Sequence, residues 1–334
     1  VASGVCLLAG NLLLGAAPNA KNVFTDAKAA GADFAVQGEY VGKIGKERKL
    51  GIQVIALGRG KFDAVLYAGG LPGAGWDAKT QVKMKGQSGT DGVKFTGKNF
   101  SGSVVKGVFS GTAEDDVAFE ARHVLRKSAT LGAKAPAGAV VLFDGTSAEA
   151  WTGGKVVDGG LLNIGVRTKR KFKDFQLHLE FRTPFMPLAR GQGRGNSGMY
   201  LIDQYECQIL DSFGLSGKDN ECGGIYKVAR PSVNMCLPPL SWQTYDVEFT
   251  AARFDDKGAK TADAVTTMAS RGMAHTLRWL AGSAARAHRR RRSRRPSIRW
   301  RRGRCTPPQR GGRGRRRWDP LRPGPLSVTR QYAR

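Results

Sequence analysis

The stretch that decides the fold is GQGRGNSGMYLIDQYECQILDSFG, residues 191–214. It has a glycine-rich, asparagine-containing beginning and then two short apolar runs of the length typical of β-strands. Side chains alternate between the two faces of a strand, so Glu206 and Gln208 share one face while Cys207 and Ile209 share the other. The pattern predicts a half-buried strand whose polar face is either solvent-exposed surface or the floor of a cleft.

The same alternation occurs in FQLHLEFR, residues 175–182, and again in residues 245–249. Each buried Phe or Leu contributes roughly 1.5–3 kcal/mol, and a slip of one residue would bury the polar set, so the pattern fixes the register. On the first of these strands the apolar face consists of Phe175, Leu177, Leu179 and Phe181, and the polar face of Gln176, His178, Glu180 and Arg182. Several strands of this kind predict an antiparallel two-layer β-sandwich.

Further short β-rich runs, each bounded by glycines, lie between residues 33 and 121. The tripeptides GRG at 58–60 and TDG at 90–92 are typical of hairpin turns, and the gaps are too short for crossover helices. No strand–GxGxxG–helix unit is present, which excludes a dinucleotide-binding fingerprint. The region predicts a small all-β domain, preceded by a short helix within residues 21–32.

Composition divides the chain into five parts. The first has an apolar run followed by small residues, which is typical of a signal peptide; a buried helix is the alternative. A membrane anchor is not expected, because the run is short and broken by Gly10 and Asn11. The predicted parts are a signal-peptide-like segment (1–20), a small N-terminal β domain (21–125), a linker (126–138), a β-sandwich (139–268) and an Arg-rich tail (269–334). We therefore expect a periplasmic or extracellular protein without a stable membrane span.

The net charge of +27 is unevenly distributed. Residues 269–334 contain 21 arginines, no lysine and one acid, Asp319, and so contribute +20. The first 268 residues carry only +7, and they show no basic face with interleaved aromatic residues. We therefore predict no nucleic-acid partner.

Three explanations compete for the tail: a basic arm for nucleic acid, a solvated disordered segment, or a change of reading frame. We favour the third, because the switch from mixed lysine and arginine to arginine alone is typical of out-of-frame translation of a GC-rich gene. Since the tail has no apolar alternation, we expect residues 269–334 to be disordered and largely without sandwich strands.

The five cysteines form no CxxC pair, and the four histidines are scattered, which excludes a zinc site of the usual spacing. Cys222 and Cys236 either form a disulfide across a loop in an exported protein or remain two reduced thiols in a packed loop.

Three segments carry a family resemblance: LFDGT at 142–146, DFQLHLEFRTPF at 174–185 and NSGMYLIDQYECQILDSFG at 196–214. Together they resemble the 3-keto-disaccharide hydrolase family, over roughly residues 140–267. The resemblance implies a concanavalin A-like antiparallel β-sandwich, or jelly roll, and action on oxidised sugars. The family pattern continues with a segment resembling LQxHG and then VxFRNI, and neither follows residue 268.

The resemblance also implies a chemistry: a base removes the proton beside a 3-keto group, and the C1 substituent then leaves. Glu206 is the first choice for this base or for binding a divalent metal; no other cofactor is predicted. Oxyanion stabilisation is assigned to two further catalytic candidates, His178 and Arg182. The candidates for substrate binding are Asn196, Tyr200, Gln208, Glu180, Asp211 and Trp242.

If the strands that carry them lie on one sheet, alternation predicts that five side chains converge on its concave face: Glu206, Gln208, His178, Glu180 and Arg182. The function that follows is an exported hydrolase of 3-keto-glycosides with a carbohydrate ligand. The alternative is a non-catalytic carbohydrate-binding sandwich that is inactive because its C-terminal strands are missing.

Overall fold

The computed structural model describes residues 23–157 and 159–269 in full and, as backbone only, the segments 277–280, 299–302 and 327–333. The first part of the fold is a closed antiparallel barrel, in which each strand pairs with the next and β1 pairs with β8. Its strands are β1 (Gly38–Ile44), β2 (Arg48–Gly58), β3 (Lys61–Ala68), β4 (Gln81–Gly89), β5 (Gly92–Gly97), β6 (Phe100–Val105), β7 (Val108–Thr112) and β8 (Ala118–Val124). A 3-10 turn, Glu114–Asp116, lies before β8.

Both predicted hairpin turns are confirmed. Between β2 and β3, Arg59 and Gly60 have positive φ angles of 58° and 70°, as a tight turn of the primed type requires. The turn between β4 and β5 lies at residues 90–91, directly before Gly92. These turns connect neighbouring strands and so allow the sheet to close without crossover helices.

The predicted helix begins later in the chain than expected. α1 spans Gly31–Val36, where the sequence predicts the start of a strand. The Asp33 carboxylate accepts a hydrogen bond of 3.1 Å from the Gly60 backbone N–H, and the Phe34 ring packs edge-on against Phe185 at 5.1 Å. Contacts with distant residues, which a local pattern does not reveal, thus favour a helical turn here.

The second part of the fold consists of short antiparallel strands, with a 3-10 turn at Gly191–Gly193. These strands are β9 (Val140–Phe143), β10 (Trp151–Thr152), β11 (Val156–Val157), β12 (Leu161–Leu162), β13 (Arg167–Thr168), β14 (Phe175–Arg182), β15 (Ser197–Leu201), β16 (Tyr205–Ile209), β17 (Gln243–Thr250), β18 (Arg253–Phe254), β19 (Lys260–Ala262), β20 (Val265–Ala269), β21 (Leu277–Leu280), β22 (Arg299–Arg302) and β23 (Ser327–Ala333).

Two sheets form the sandwich. The six-stranded sheet has the order β21-β20-β17-β14-β23-β9, and the five-stranded sheet has the order β10-β13-β22-β15-β16. The pairs β11-β12 and β18-β19 form separate ladders. One hydrophobic cluster joins the two sheets, with Leu179 and Val247 from the first and Met199 and Ile209 from the second. The predicted all-β class and the antiparallel sandwich are confirmed.

Strand β14 has the register that the sequence predicts. Phe175, Leu179 and Phe181 are buried in the core, and Phe175 stacks on its cross-strand partner Phe249 with ring centroids 5.2 Å apart. Aromatic cross-strand pairs of this kind stabilise a sheet and fix its register.

The tail differs in part from the expectation. The sequence predicts that residues 269–334 are largely without sandwich strands, but β21, β22 and β23 pair with the two sheets. Strand β23 lies between β14 and β9, and β22 lies between β13 and β15. For these three segments the prediction is wrong. The rest of the predicted tail, like the signal-peptide-like segment, lies outside the described residues.

The barrel packs against the sandwich through the outer face of β2 and β3. Ile55, Val65 and Tyr67 belong to the sandwich core, while neighbouring residues such as Ile52 and Phe62 belong to the barrel core. These two strands are therefore buried on both faces. None of the helices in the described part of the chain is long and apolar enough to cross a membrane.

Candidate functional site

The outer face of the β15–β16 hairpin carries the first group of candidate residues. In this antiparallel pair Tyr200 lies opposite Glu206, and Gly198 lies opposite Gln208. Because Cys207 points into the core, the side chains of Glu206 and Gln208 point away from it. We call this surface the β15–β16 polar face.

Glu206 is held in place by its cross-strand neighbour. The Tyr200 hydroxyl donates a hydrogen bond of 2.5 Å to Glu206 Oε2. The carboxylate also lies over Gly198, where an added Cβ would be 2.2 Å from Oε1. Only glycine at position 198 leaves this space, so the NSG motif serves to seat the carboxylate as well as to begin the strand.

A cluster of amides lies beside this carboxylate. The Gln208 Nε2 donates to Gln192 Oε1 at 2.8 Å and to the Asn220 carbonyl at 3.3 Å. The Asn196 Nδ2 donates to the Gln192 carbonyl at 2.9 Å and to its Oε1 at 3.1 Å, and Gln192 Nε2 donates to the Asn220 carbonyl at 2.7 Å. We call the three side chains, together with the Asn220 carbonyl, the amide cluster. Planar amides of this kind bind sugar hydroxyls with both donors and acceptors.

The sequence did not single out Gln192, which is the centre of the amide cluster. Its position inside the glycine-rich GQGRGNSG run, a few residues before Asn196, was the available signal. Gln208 Oε1 is a buried acceptor that lacks a partner among the described residues. An unsatisfied buried acceptor costs about 1–3 kcal/mol, so a donor from a ligand would stabilise it.

Asp211 lies apart from Glu206. Strand β16 ends at Ile209, and the Asp211 carboxylate accepts a hydrogen bond of 2.6 Å from Arg194 Nε on the side of the barrel. Both side chains are buried. Arg194 also donates to Gln37 Oε1 at 3.4 Å. Asp211 therefore pairs with the arginine that contacts the segment before the barrel, and it does not join the Glu206 carboxylate.

The condition for the predicted convergence of five side chains, that they lie on one sheet, is not met. Glu206 and Gln208 belong to the five-stranded sheet, whereas His178, Glu180 and Arg182 belong to the six-stranded sheet. The apolar faces of both sheets point towards the shared core, so their polar faces point in opposite directions. Alternation shows which side chains point outward, but it does not show which sheet a strand joins.

His178 and Glu180 are covered by the linker. The Gly132 backbone N–H donates to Glu180 Oε1 at 2.5 Å, and the Thr130 hydroxyl donates to Asp246 Oδ2 at 2.8 Å. His178 Nδ1 lies 2.8 Å from Asp246 Oδ1, and its Nε2 lies 3.3 Å from Glu180 Oε1. The histidine is only 3% exposed.

The two carboxylates keep His178 protonated. Burial by itself lowers the pKa of His178, but the hydrogen bonds and charges of Asp246 and Glu180 outweigh it and raise the pKa to about 9. A charged imidazolium between two carboxylates is a typical structural ion cluster. In this structure it attaches the linker to the outer face of the six-stranded sheet.

Arg182 and Trp242 meet each other on this second sheet. The Arg182 guanidinium carbon lies 5.2 Å from the centroid of the Trp242 ring, and burial lowers the pKa of Arg182. Of the predicted residues, the structure thus brings together Glu206, Tyr200, Gln208 and Asn196 on one surface. It places His178, Glu180, Arg182 and Trp242 on the other sheet and Asp211 next to the barrel.

The three cysteines in the described part of the chain, Cys207, Cys222 and Cys236, are reduced. Cys222 and Cys236 are free, buried thiols lining the same small cavity of about 50 Å³. The Cys222 sulfur lies 3.0 Å from the Tyr245 hydroxyl, which in turn donates to the Gln208 carbonyl at 2.7 Å. Of the two alternatives, the structure contains the pair of thiols.

No group of three or more His, Cys, Asp or Glu side chains in the described ranges could hold a metal ion. The carboxylate of Glu206, the predicted metal-binding candidate, accepts a hydrogen bond from the Tyr200 hydroxyl, and the amide of Gln208 lies two positions further along the same face. The chemistry available on the β15–β16 polar face is that of one carboxylate, one phenol and several amides.

A family model matches the sandwich part of the chain. Residues 138–275 match the family model of the 3-keto-alpha-glucoside-1,2-lyase-like domain, which confirms the resemblance predicted from the sequence. No curated protein matches the chain. The match supports a carbohydrate-acting, hydrolase-like function for this part of the chain.

Two crystal structures from Parabacteroides distasonis ATCC 8503, both provisionally classed as glycosyl hydrolases, are similar to the chain. The first has 27% identity and a TM-score of 0.47, and the similarity covers 60% of this chain and 84% of that one. The second has 16% identity and a TM-score of 0.30, with coverage of 48% and 78%.

Proposed function

We propose that the sandwich hydrolyses 3-keto-glycosides on the β15–β16 polar face, with Glu206 as the base. The observation that carries this proposal is the seat of Glu206, whose carboxylate lies 2.5 Å from the Tyr200 hydroxyl and above Gly198. A carboxylate fixed beside hydroxyl-binding amides suits a reaction that begins with proton abstraction from a sugar ring.

In this mechanism the keto group at C3 acidifies the neighbouring C2–H bond. Glu206 removes that proton, and the electron pair of the bond forms an enolate with the C3 oxygen. The C1–O bond then breaks, and the departing alcohol takes a proton. Water adds to the resulting unsaturated ketone, with its oxygen at C1 and its hydrogen at C2, so the net reaction is hydrolysis.

The other side chains have positioning roles in this proposal. The Tyr200 hydroxyl orients the base and is the nearest donor for an oxyanion that forms beside it. Asn196 and Gln208 hold hydroxyl groups of the sugar, with Gln192 fixing both amides. The reaction takes place outside the cytoplasm, as the signal-peptide-like composition of residues 1–20 suggests.

A second candidate is a non-catalytic carbohydrate-binding sandwich. The observation that favours it is the placement of His178 and Arg182, the predicted oxyanion groups, on the opposite sheet. Without them, the polar face carries fewer groups for stabilising an enolate.

The test is the Glu206→Gln variant, which keeps the shape and hydrogen bonding of the side chain but removes the charge. Release of the aglycone from a 3-keto-glucoside should fall by about 10²–10⁴-fold, as for the loss of a general base. The matched control is Glu248→Gln, because Glu248 is an exposed carboxylate on β17 of the other sheet. Unchanged turnover in Glu206→Gln would remove this residue from the mechanism.

Binding of the same sugar separates the two candidates. The hydrolase proposal expects turnover by the unaltered protein and sugar binding by both variants. Binding without any turnover in the unaltered protein would instead favour the non-catalytic sandwich.

A further inference from the structure

A cleft between the barrel and the sandwich has no role in the reaction proposed above. It has a volume of about 480 Å³, within the range of small-molecule sites. Its barrel wall is the outer face of β2 to β5, and its sandwich wall consists of residues 190–194 and 211–215. The apolar part of the lining consists mainly of Ile55, Leu57, Val65, Met84, Phe213 and Leu215.

The charges in this cleft are unbalanced. Four cations, Lys83, Lys85, Arg190 and Arg194, line it together with two carboxylates, Asp63 and Asp211. Arg194 pairs with Asp211 at 2.6 Å, and Lys85 pairs with Asp63 at 2.7 Å. Within the described ranges, no carboxylate forms an ion pair with Lys83 or Arg190.

Arg190 is the more constrained of these two cations. Its guanidinium donates to the carbonyl oxygens of Pro187 at 2.5 Å, Ala189 at 2.7 Å and Leu57 at 2.8 Å. Burial and then the nearby charge of Arg194 lower the pKa of Arg190, and the charge of Asp63 offsets part of this effect. These three carbonyl contacts hold the guanidinium in place, so it presents a fixed positive charge to an anion in the cleft.

The cleft borders the candidate site through one short element. In the 3-10 turn Gly191–Gly193, the first residue lines the cleft, while the Gln192 side chain belongs to the amide cluster. A saccharide longer than one unit could extend from the β15–β16 polar face past this turn.

We propose that the cleft binds an anionic sugar unit of the uronate type. Its carboxylate interacts with Lys83 and Arg190, since guanidinium groups bind carboxylates with directional, charge-assisted hydrogen bonds. The apolar face of the sugar ring packs against Leu57 and Leu215, and Asp63 and Thr96 are available for its hydroxyls. The choice of a sugar rests on the proposed function; the choice of an anion rests on the cleft alone.

The test is calorimetric titration of the full chain with methyl β-glucuronide and methyl β-glucoside, which differ only in the C6 carboxylate. The glucuronide should bind at least about tenfold more tightly, as one charge-assisted contact predicts, and added salt should weaken this preference. Lys83→Gln and Arg190→Gln should each remove most of it. The control is Lys43→Gln, which removes an exposed lysine on β1 outside the cleft.

Equal affinity for the two ligands, or an unchanged preference in Lys83→Gln, would overturn the proposal. Lys83 is exposed and holds no other element, so its substitution tests binding without disturbing the fold. Turnover of a neutral 3-keto-glucoside should be the same in Lys83→Gln as in the unaltered protein. A glucuronide preference without turnover would support the cleft proposal and contradict the proposed function. Turnover without a glucuronide preference would support the proposed function and overturn the cleft proposal.

Discussion

At the scale of single residues, the candidate site depends on a contact between a glycine and a carboxylate. The sequence predicts that Glu206 and Gln208 share a face, because both lie on one strand two positions apart. It does not predict that Tyr200 lies opposite Glu206, since that pairing depends on where the hairpin turns. The strand pattern therefore predicts that the carboxylate points outward, but it does not predict which side chain bonds to it.

The first prediction concerns Gly198. In Gly198→Ala, the new methyl group would displace the Glu206 carboxylate, whose Oε1 lies only 2.2 Å from the added Cβ position. Because the obstacle is the end of a flexible side chain, we expect little loss of thermal stability and at least about a tenfold loss of turnover, as for a misplaced general base.

The control for this substitution is Gly193→Ala in the same glycine-rich stretch, where no heavy atom lies within 4 Å of the added Cβ. It should have ordinary turnover. Equal turnover in the two alanine variants would show that the seat of Glu206 has no role in the reaction.

At the scale of elements, β14 shows the limit of a local pattern. Its register is the predicted one, with Phe175 stacked on Phe249. Its polar face is nevertheless buried, because residues 128–132 cross it and bond to Glu180 and Asp246. The linker has no apolar periodicity, so nothing in its sequence indicates that it covers a strand. His178 was predicted as catalytic from its place on the polar face of the strand, and the structure places it in an ion cluster beneath the linker.

The second prediction follows from the raised pKa of His178. The folded pKa of about 9 lies above the usual value of about 6.5 for an unfolded histidine. The stabilisation is therefore fully present below pH 6.5 and is lost as the pH rises through about 9, with a total of roughly 3 kcal/mol at most. The melting temperature should fall over this range, and His178→Gln should flatten the fall.

The control is His123→Gln on the barrel. His123 packs edge-on against the Tyr40 ring at 5.1 Å, and in the described part of the chain it has no hydrogen bond to a carboxylate. This variant should keep the pH dependence of the unaltered protein. If the melting temperature of His178→Gln fell with pH as steeply as that of His123→Gln and of the unaltered protein, this result would contradict a charged histidine beneath the linker.

At the scale of the whole molecule, the barrel and the sandwich share a hydrophobic core. The apolar runs in β2 and β3 have little alternation, which indicates strands buried on both faces, and Ile55 and Val65 occupy the outer one. The sequence predicts two all-β parts, but their packing depends on complementary surfaces far apart in the chain. The strands in the Arg-rich tail, such as β23, likewise take their places through pairing with distant strands rather than through apolar alternation.

The last prediction tests the ion pair between Arg194 and Asp211, which lies where the sandwich meets the barrel. Arg194 and Asp211 are both buried, and Arg194 also bonds to Gln37. Asp211→Asn leaves a buried guanidinium without its counter-charge, so the free energy of unfolding measured in urea should fall by about 3–5 kcal/mol. Replacing both partners with apolar residues, as in Arg194→Met with Asp211→Leu, removes the uncompensated charge and should cost clearly less than the single substitution.

The control is Glu120→Gln, which breaks an exposed pair with Arg122 on the barrel and should change the free energy of unfolding by no more than about 1 kcal/mol. If Asp211→Asn were no more damaging than Glu120→Gln, the junction would be held by its apolar contacts alone.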